Sequence, residues 1–125
     1  MTHLVPPVVL VVDDNDDTRA MYAHLLKAEG FEVKLAADGD EALAHADEGP
    51  AVIIMDLAMP GLNGWEATRR LKTRERTKDI PVIVLTAHAL DHYRDVAMAA
   101  GCDEFLSKPC AIEDLVAAVR RALER

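Results

Sequence analysis

Short apolar runs alternate with amphipathic stretches along the whole chain, and no other feature constrains the fold as strongly. The runs lie at Val8–Val12, Phe31–Ala36, Ala51–Met55, Val82–Leu85 and Glu104–Leu106. The first, third and fourth are continuous and mostly β-branched, as strands covered on both faces are. The second and fifth are weaker, which suits places nearer a sheet edge. Between and after these runs, residues 17–29, 40–47, 63–74, 90–100 and 111–124 carry apolar residues at mixed three- and four-residue spacing. Ile112, Leu115, Val116, Val119, Ala122 and Leu123 make the clearest stripe. Gly30, Gly49 and Gly101 each follow a helical stretch and precede a strand, as a left-handed helix C-cap does. Five strand–helix repeats predict an α/β domain, a parallel sheet with helices on both faces.

A chain of 125 residues fits one such domain. It buries roughly two thirds of the surface its unfolded chain exposes, enough for a core without metal or disulfide staples. The expected organisation is a short leader, residues 1–7 with Pro6-Pro7, followed by one domain over 8–125. Fourteen Lys and Arg against 22 Asp and Glu give a net charge of −8 spread along the chain. That balance lacks the basic face a phosphate backbone requires, so no nucleic-acid partner is expected. No apolar run approaches the ~18 residues of a membrane helix. Met1 to Pro7 lacks the pattern of a signal peptide. Cys102 and Cys110, eight positions apart, match no metal or redox spacing and read as reduced thiols. Together these features predict a cytoplasmic protein with no membrane partner.

In an open parallel sheet, ligands sit beyond the carboxyl ends of the strands. Strand one runs into Asp13-Asp14, strand three into Asp56, strand four into Thr86, and strand five into Ser107-Lys108-Pro109. Strand two delivers only Ala36-Ala37, consistent with an edge position. Three carboxylates at one sheet edge repel by several kcal/mol per pair at ~4 Å and an effective dielectric of ~20. A hard divalent cation relieves this, and an oxygen-only donor set suits Mg²⁺. Lys108 adds a point charge and Thr86 a hydroxyl donor, each suited to a phosphoryl oxygen. The set fits an aspartate nucleophile attacking phosphorus, a reaction that needs mostly positioning and charge neutralisation. Asp16 and Asp38, by contrast, read as ordinary turn or helix-cap residues.

Leu10-Val11-Val12-Asp13-Asp14, the run from Ile53 to Gly64, Leu85-Thr86-Ala87 and Phe105-Leu106-Ser107-Lys108-Pro109 together resemble response-regulator receiver domains. The resemblance spans nearly the whole chain, and is nearest to stand-alone receivers because the chain stops after the fifth helix. It implies a doubly wound, flavodoxin-like (βα)₅ fold of strand order 2-1-3-4-5. It implies that Asp56 accepts a phosphoryl group from a histidine kinase or a histidine phosphotransfer protein. Asp13, Asp14, Asp56 and the backbone carbonyl of Ala58 would hold Mg²⁺, with Mn²⁺ able to substitute. Lys108 would pair with the phosphoryl group, Thr86 would swing towards it, and Phe105 stands at the switching aromatic. The Lys108–Pro109 peptide would be cis. Ala58 and His88 occupy the two positions that tune dephosphorylation in the family; Ala58 is smaller than the polar or Met side chain often found there, and His88 is an uncommon choice. Such a protein catalyses its own aspartyl phosphorylation and dephosphorylation but is a signalling phosphoacceptor rather than an enzyme. It would act on a downstream protein target through the surface of helix 4, strand 5 and helix 5, as a monomer or weak dimer.

Two other readings use the same residues. One is a receiver-like module that works by contact without phosphorylation, against which the intact Asp56–Lys108–Thr86 set argues. The other is a small haloacid-dehalogenase-type phosphatase, suggested by Asp14-Asn15-Asp16-Asp17-Thr18 as D-x-D-x-T. Its nucleophile should come first after the strand, where Asp13-x-Asn15 breaks the pattern. His88 and His92, at i and i+4, could share one helix face as a two-point metal site, but with no third ligand in register they read as a solvated face. Trp65 reads as a packing residue, and Arg69-Arg70-Leu71-Lys72 and Arg120-Arg121 as solvated helix faces. The fourth helix turns Tyr93, Ala97 and Ala100 inwards, burying little area and leaving it the easiest to shift. Thr18, Met21, Tyr22 and Leu25 on the first helix offer the docking surface for the phosphodonor that the resemblance implies.

Overall fold

The computed structural model describes residues 5–87 and 91–124. Five strands and five helices alternate: β1 (Val8–Val12), α1 (Asp16–Ala28), β2 (Glu32–Ala36), α2 (Gly39–Ala46), β3 (Val52–Met55), α3 (Gly64–Thr73), β4 (Val82–Thr86), α4 (Asp91–Ala99), β5 (Glu104–Ser107) and α5 (Ile112–Leu123). All strand pairs are parallel and the order is β2-β1-β3-β4-β5. The two weak runs are the two edges, as expected.

Alternate residues of the central strands face opposite layers, because strand side chains repeat every two residues. Leu10, Val12, Ile53, Met55, Val82 and Val84 pack against Ala42 and Ala46 of α2, Ala67 and Leu71 of α3 and Ala97 of α4. Val9, Val11, Val52, Ile54, Ile83 and Leu85 pack against Tyr22 and Leu26 of α1 and Leu115, Val116 and Val119 of α5. Both faces of β1, β3 and β4 are thus covered, which explains their unbroken apolar runs. Gly30 and Gly101 end α1 and α4 at φ of +96° and +103°, a conformation that a Cβ would penalise. Asn15 and Asp38 cap α1 and α2, accepting hydrogen bonds from the Thr18 and Glu41 backbone N–H groups. Asp38 was expected as a cap. Asp16 instead opens the helix, one residue past its cap.

Lys72 departs from the solvated face expected of it. Its ammonium donates to Asp103 Oδ2 and to the Ile80 carbonyl, both at 2.8 Å, and Asp103 Oδ2 also accepts the Val82 N–H at 2.7 Å. The brace ties α3 to the entrances of β4 and β5, and both side chains are largely buried. Arg69 and Arg70 are exposed as expected and pair with Glu66. Lys72→Met would leave the Asp103 carboxylate short of its charged partner, a loss of about 2 kcal/mol, or ~6–10 °C in Tm for a chain of this size. A melting curve unchanged to within a degree or so contradicts the brace.

Candidate functional site

The strand register brings the site together. Val12 of β1 lies beside Met55 of β3, so the next residues, Asp13 and Asp56, leave the sheet side by side. The reversal of strand order falls between β1 and β3, where an open α/β sheet leaves a crevice. Asp13 N–H still bonds the Ala36 carbonyl and Asp56 N–H the Val12 carbonyl, so neither backbone is free to drift. Asp13 and Asp56 are buried and Asp14 is exposed. One carboxylate oxygen from each of the three lies within 4.8 Å of the others.

Lys108 enters from the end of β5, where its N–H donates to the Thr86 carbonyl at 2.8 Å. Its ammonium sits 2.6 Å from Asp13 Oδ2 and 3.8 Å from Asp56 Oδ2. The lysine therefore makes its hydrogen bond to Asp13 and only a looser ion pair with Asp56. The Lys108–Pro109 peptide is cis. Burial pushes the Asp56 carboxyl above its ordinary range, Lys108 pulls it back, and the charges of Asp13 and Asp14 push it further up. Such a group gains from any added positive charge.

Thr86 is fully buried at the end of β4. Phe105 is half-buried on β5, with the Arg94 guanidinium of α4 5.8 Å from its ring centroid. Ala58 is exposed in the loop after β3. His88 lies outside the described residues, so the pairing of Ala58 with His88 rests on the sequence. Ala97 of α4 and Ala100, just past its end, are buried as expected. Tyr93 is half-buried and stacks obliquely on Trp65 of α3, centroids 6.2 Å apart. On α1, Tyr22 is buried, Met21 exposed, and Thr18 and Leu25 half-buried. Cys102 is buried and Cys110 half-exposed, and both are free.

One residue beside the site escaped the sequence reading. Arg19 donates from Nη1 to the Asp13 carbonyl at 2.7 Å. A signal for it existed: a cation in the first turn of a helix opposes the macrodipole, so its placement there calls for a compensating contact.

The donor set suits a hard cation. Three carboxylates, two of them buried and within reach of one ion, supply only oxygen ligands, and the exposure of Asp14 leaves a side open to water. Fold and site together define a doubly wound α/β protein with an acidic cleft at its topological switch point. The model of the response regulator receiver domain matches residues 9–120. The chain belongs to the response regulator receiver family. It is 40% identical over 125 residues to the transcriptional regulatory protein PrrA of Mycobacterium tuberculosis, covering 99% of this chain and 53% of that protein. It thus spans about half the length of the curated relatives it matches. Among solved structures, the chemotaxis protein CheY4 of Vibrio cholerae superposes with a TM-score of 0.89 at 35% identity, covering 95% of this chain and all of that one. The receiver domain of the sensor histidine kinase PA1611 of Pseudomonas aeruginosa, solved with magnesium coordinated in its active-site cleft, gives a TM-score of 0.90 at 31% identity. That match covers 97% of this chain and all of the other.

Proposed function

We propose that Asp56 is the phosphoacceptor of this receiver domain, taking its phosphoryl group from a phosphohistidine donor, either a histidine kinase or a histidine phosphotransfer protein. The observation that carries this is the convergence of Asp13, Asp14, Asp56 and Lys108 on one sheet edge, with Asp56 buried and held above its ordinary pKa range. An Asp56 carboxylate oxygen attacks phosphorus as the phosphorus–nitrogen bond to the histidine breaks, and the imidazole leaves with the bonding pair. Lys108, already beside Asp56, holds a phosphoryl oxygen. Asp13, Asp14 and Asp56, with the Ala58 carbonyl, would hold Mg²⁺ or Mn²⁺. That ion supplies charge neutralisation for the transferring group.

Thr86 and Phe105 respond to the phosphoryl group and alter the α4–β5–α5 surface offered to a downstream protein. Ala58 and His88 set the lifetime of the aspartyl phosphate. We read residues 8–125 as the receiver unit, residues 1–7 as a leader, and the setting as cytoplasmic. Among the described residues no helix is long and apolar enough to cross a membrane. The activity is self-phosphorylation and self-dephosphorylation in signalling, not turnover of an external substrate. The acid excess favours protein over nucleic-acid partners for this chain, as a monomer or weak dimer.

The test is incubation with acetyl phosphate and Mg²⁺, followed by intact mass. The expected result is a labile phosphoryl adduct that disappears in Asp56→Ala. An adduct on Asp13 or Asp14, or steady hydrolysis of phosphomonoesters, overturns the assignment. No adduct at all leaves a module that acts by contact alone.

A further inference from the structure

We propose that Arg19 is a positioning residue for the cation site, acting through the peptide that joins Asp13 to Asp14. The inference rests on the proposed use of these carboxylates to hold Mg²⁺. Asp14 is the exposed member of the cluster, so the backbone on either side of it sets where its carboxylate points. Both sides are fastened. Before it, the Asp13 carbonyl accepts the Arg19 Nη1–H at 2.7 Å. After it, the Asn15 N–H donates to Asp13 Oδ1 at 2.9 Å. Asn15 in turn caps α1, its Oδ1 accepting the Thr18 N–H at 2.9 Å. The loop carrying two of the three carboxylates is thereby closed into a ring anchored on the first turn of α1.

Three observations assign this role to the arginine rather than to a surface ion pair. Its side chain is 16% exposed, whereas that of its acidic partner Asp16 is 87% exposed, so the buried end of the contact is the carbonyl. Its place in the first turn of α1 sets its charge against the helix dipole. Its planar fork meets the Asp13 carbonyl and the Asp16 carboxylate together, which a lysine ammonium does less well.

The sign of the effect separates positioning from charge. Arg19 is a cation beside a cation site, so electrostatics alone predicts that removing it tightens Mg²⁺ binding. Loss of an outer-shell contact that orients a ligand instead weakens metal binding by about 10–100-fold.

Titration of MgCl₂ into the full chain, followed by calorimetry, reads this directly. Arg19→Ala should raise the Mg²⁺ dissociation constant by about tenfold or more, and Arg19→Lys by less. Equal or tighter binding by Arg19→Ala, with wild-type binding intact, overturns the proposal and leaves the Asp56 assignment standing. Absence of Mg²⁺ binding in the wild type overturns both. Should Arg19→Ala fail to fold, Arg19→Lys decides the matter: it keeps the charge and loses the fork, so an affinity equal to wild type counts against positioning.

Discussion

Gly64→Ala should destabilise the protein by about 3 kcal/mol or more, a fall of ~10–15 °C in Tm. Gly64 opens α3, and a Cβ placed on it would lie 1.9 Å from the Asp56 carbonyl oxygen and 2.8 Å from both the Asp56 carbonyl carbon and Leu57 Cα. Every one of these is a backbone atom, so no side chain can rotate away. The helix cannot retreat cheaply either, because the Gly64 N–H donates to the Leu57 carbonyl at 3.0 Å and ties the start of α3 to the chain just past the end of β3. The strain must fall on Asp56. A displacement of ~1 Å at a reacting group costs on the order of a hundredfold in rate. Whatever Gly64→Ala protein still folds should therefore form the acetyl-phosphate adduct about a hundred times more slowly than wild type. Gly49→Ala is the control. Gly49 sits at φ +77° with open space around its Cβ position, so alanine there meets only the left-handed backbone cost of about 1–2 kcal/mol, with the adduct rate unchanged. A Gly64→Ala protein that melts within ~2 °C of wild type would show that α3 does not pack on Asp56 as described.

How such contacts were or were not legible in the sequence follows from their range. The fold was readable because its signals are local: Val8–Val12 and Val52–Met55 announce doubly covered strands by composition, and the caps at Asp38 and Gly30 by residue type. The gathering of Asp13, Asp14 and Asp56 was readable for a less local reason. Parallel strands in one open sheet must present their carboxyl ends together, so residues following β1 and β3 are neighbours whatever the loops do.

What stayed hidden were choices between partners. Asp103 lies 31 residues from Lys72, and nothing in either segment says that α3 will be braced to β5 rather than left in solvent. Lys108 was expected at a phosphoryl group, but no periodicity reveals that its ammonium stands closer to Asp13 than to Asp56. That preference depends on angles at a sheet edge finer than the register itself. The α3–Asp56 approach is of the same kind: the sequence shows a glycine at position 64, but the need for a missing Cβ appears only when helix and strand are placed.

In the absence of divalent cations Asp56→Asn should be more stable than wild type, and saturating Mg²⁺ should reverse the order. Without an ion, wild type carries three carboxylates against one lysine, and Lys108 spends its hydrogen bond on Asp13. The pKa of buried Asp56 is raised, first by burial and then by the charges of Asp13 and Asp14, against the pull of Lys108. A folded pKa above the unfolded one means that ionising the group costs stability. The cost is absent below the unfolded value near ~3.9, grows as pH rises, and is complete above the folded value. Asparagine keeps the shape and removes the charge, so in EDTA at neutral pH a gain of about 1 kcal/mol, ~3–6 °C in Tm, is expected. The gap should narrow as pH is lowered towards ~4. Mg²⁺ held at the proposed site would act on wild type by mass action, adding about 2.7 kcal/mol at a hundred times its dissociation constant. The asparagine variant, with one of the three proposed anionic ligands removed, should gain less than half of that at the same concentration. The crossing is the informative quantity, because a merely structural effect of the substitution shifts both conditions alike. Parallel melting shifts with and without Mg²⁺ would mean that Asp56 does not face the cation, and an asparagine variant no more stable than wild type in EDTA would mean that Asp56 does not bear the charge strain assigned to it.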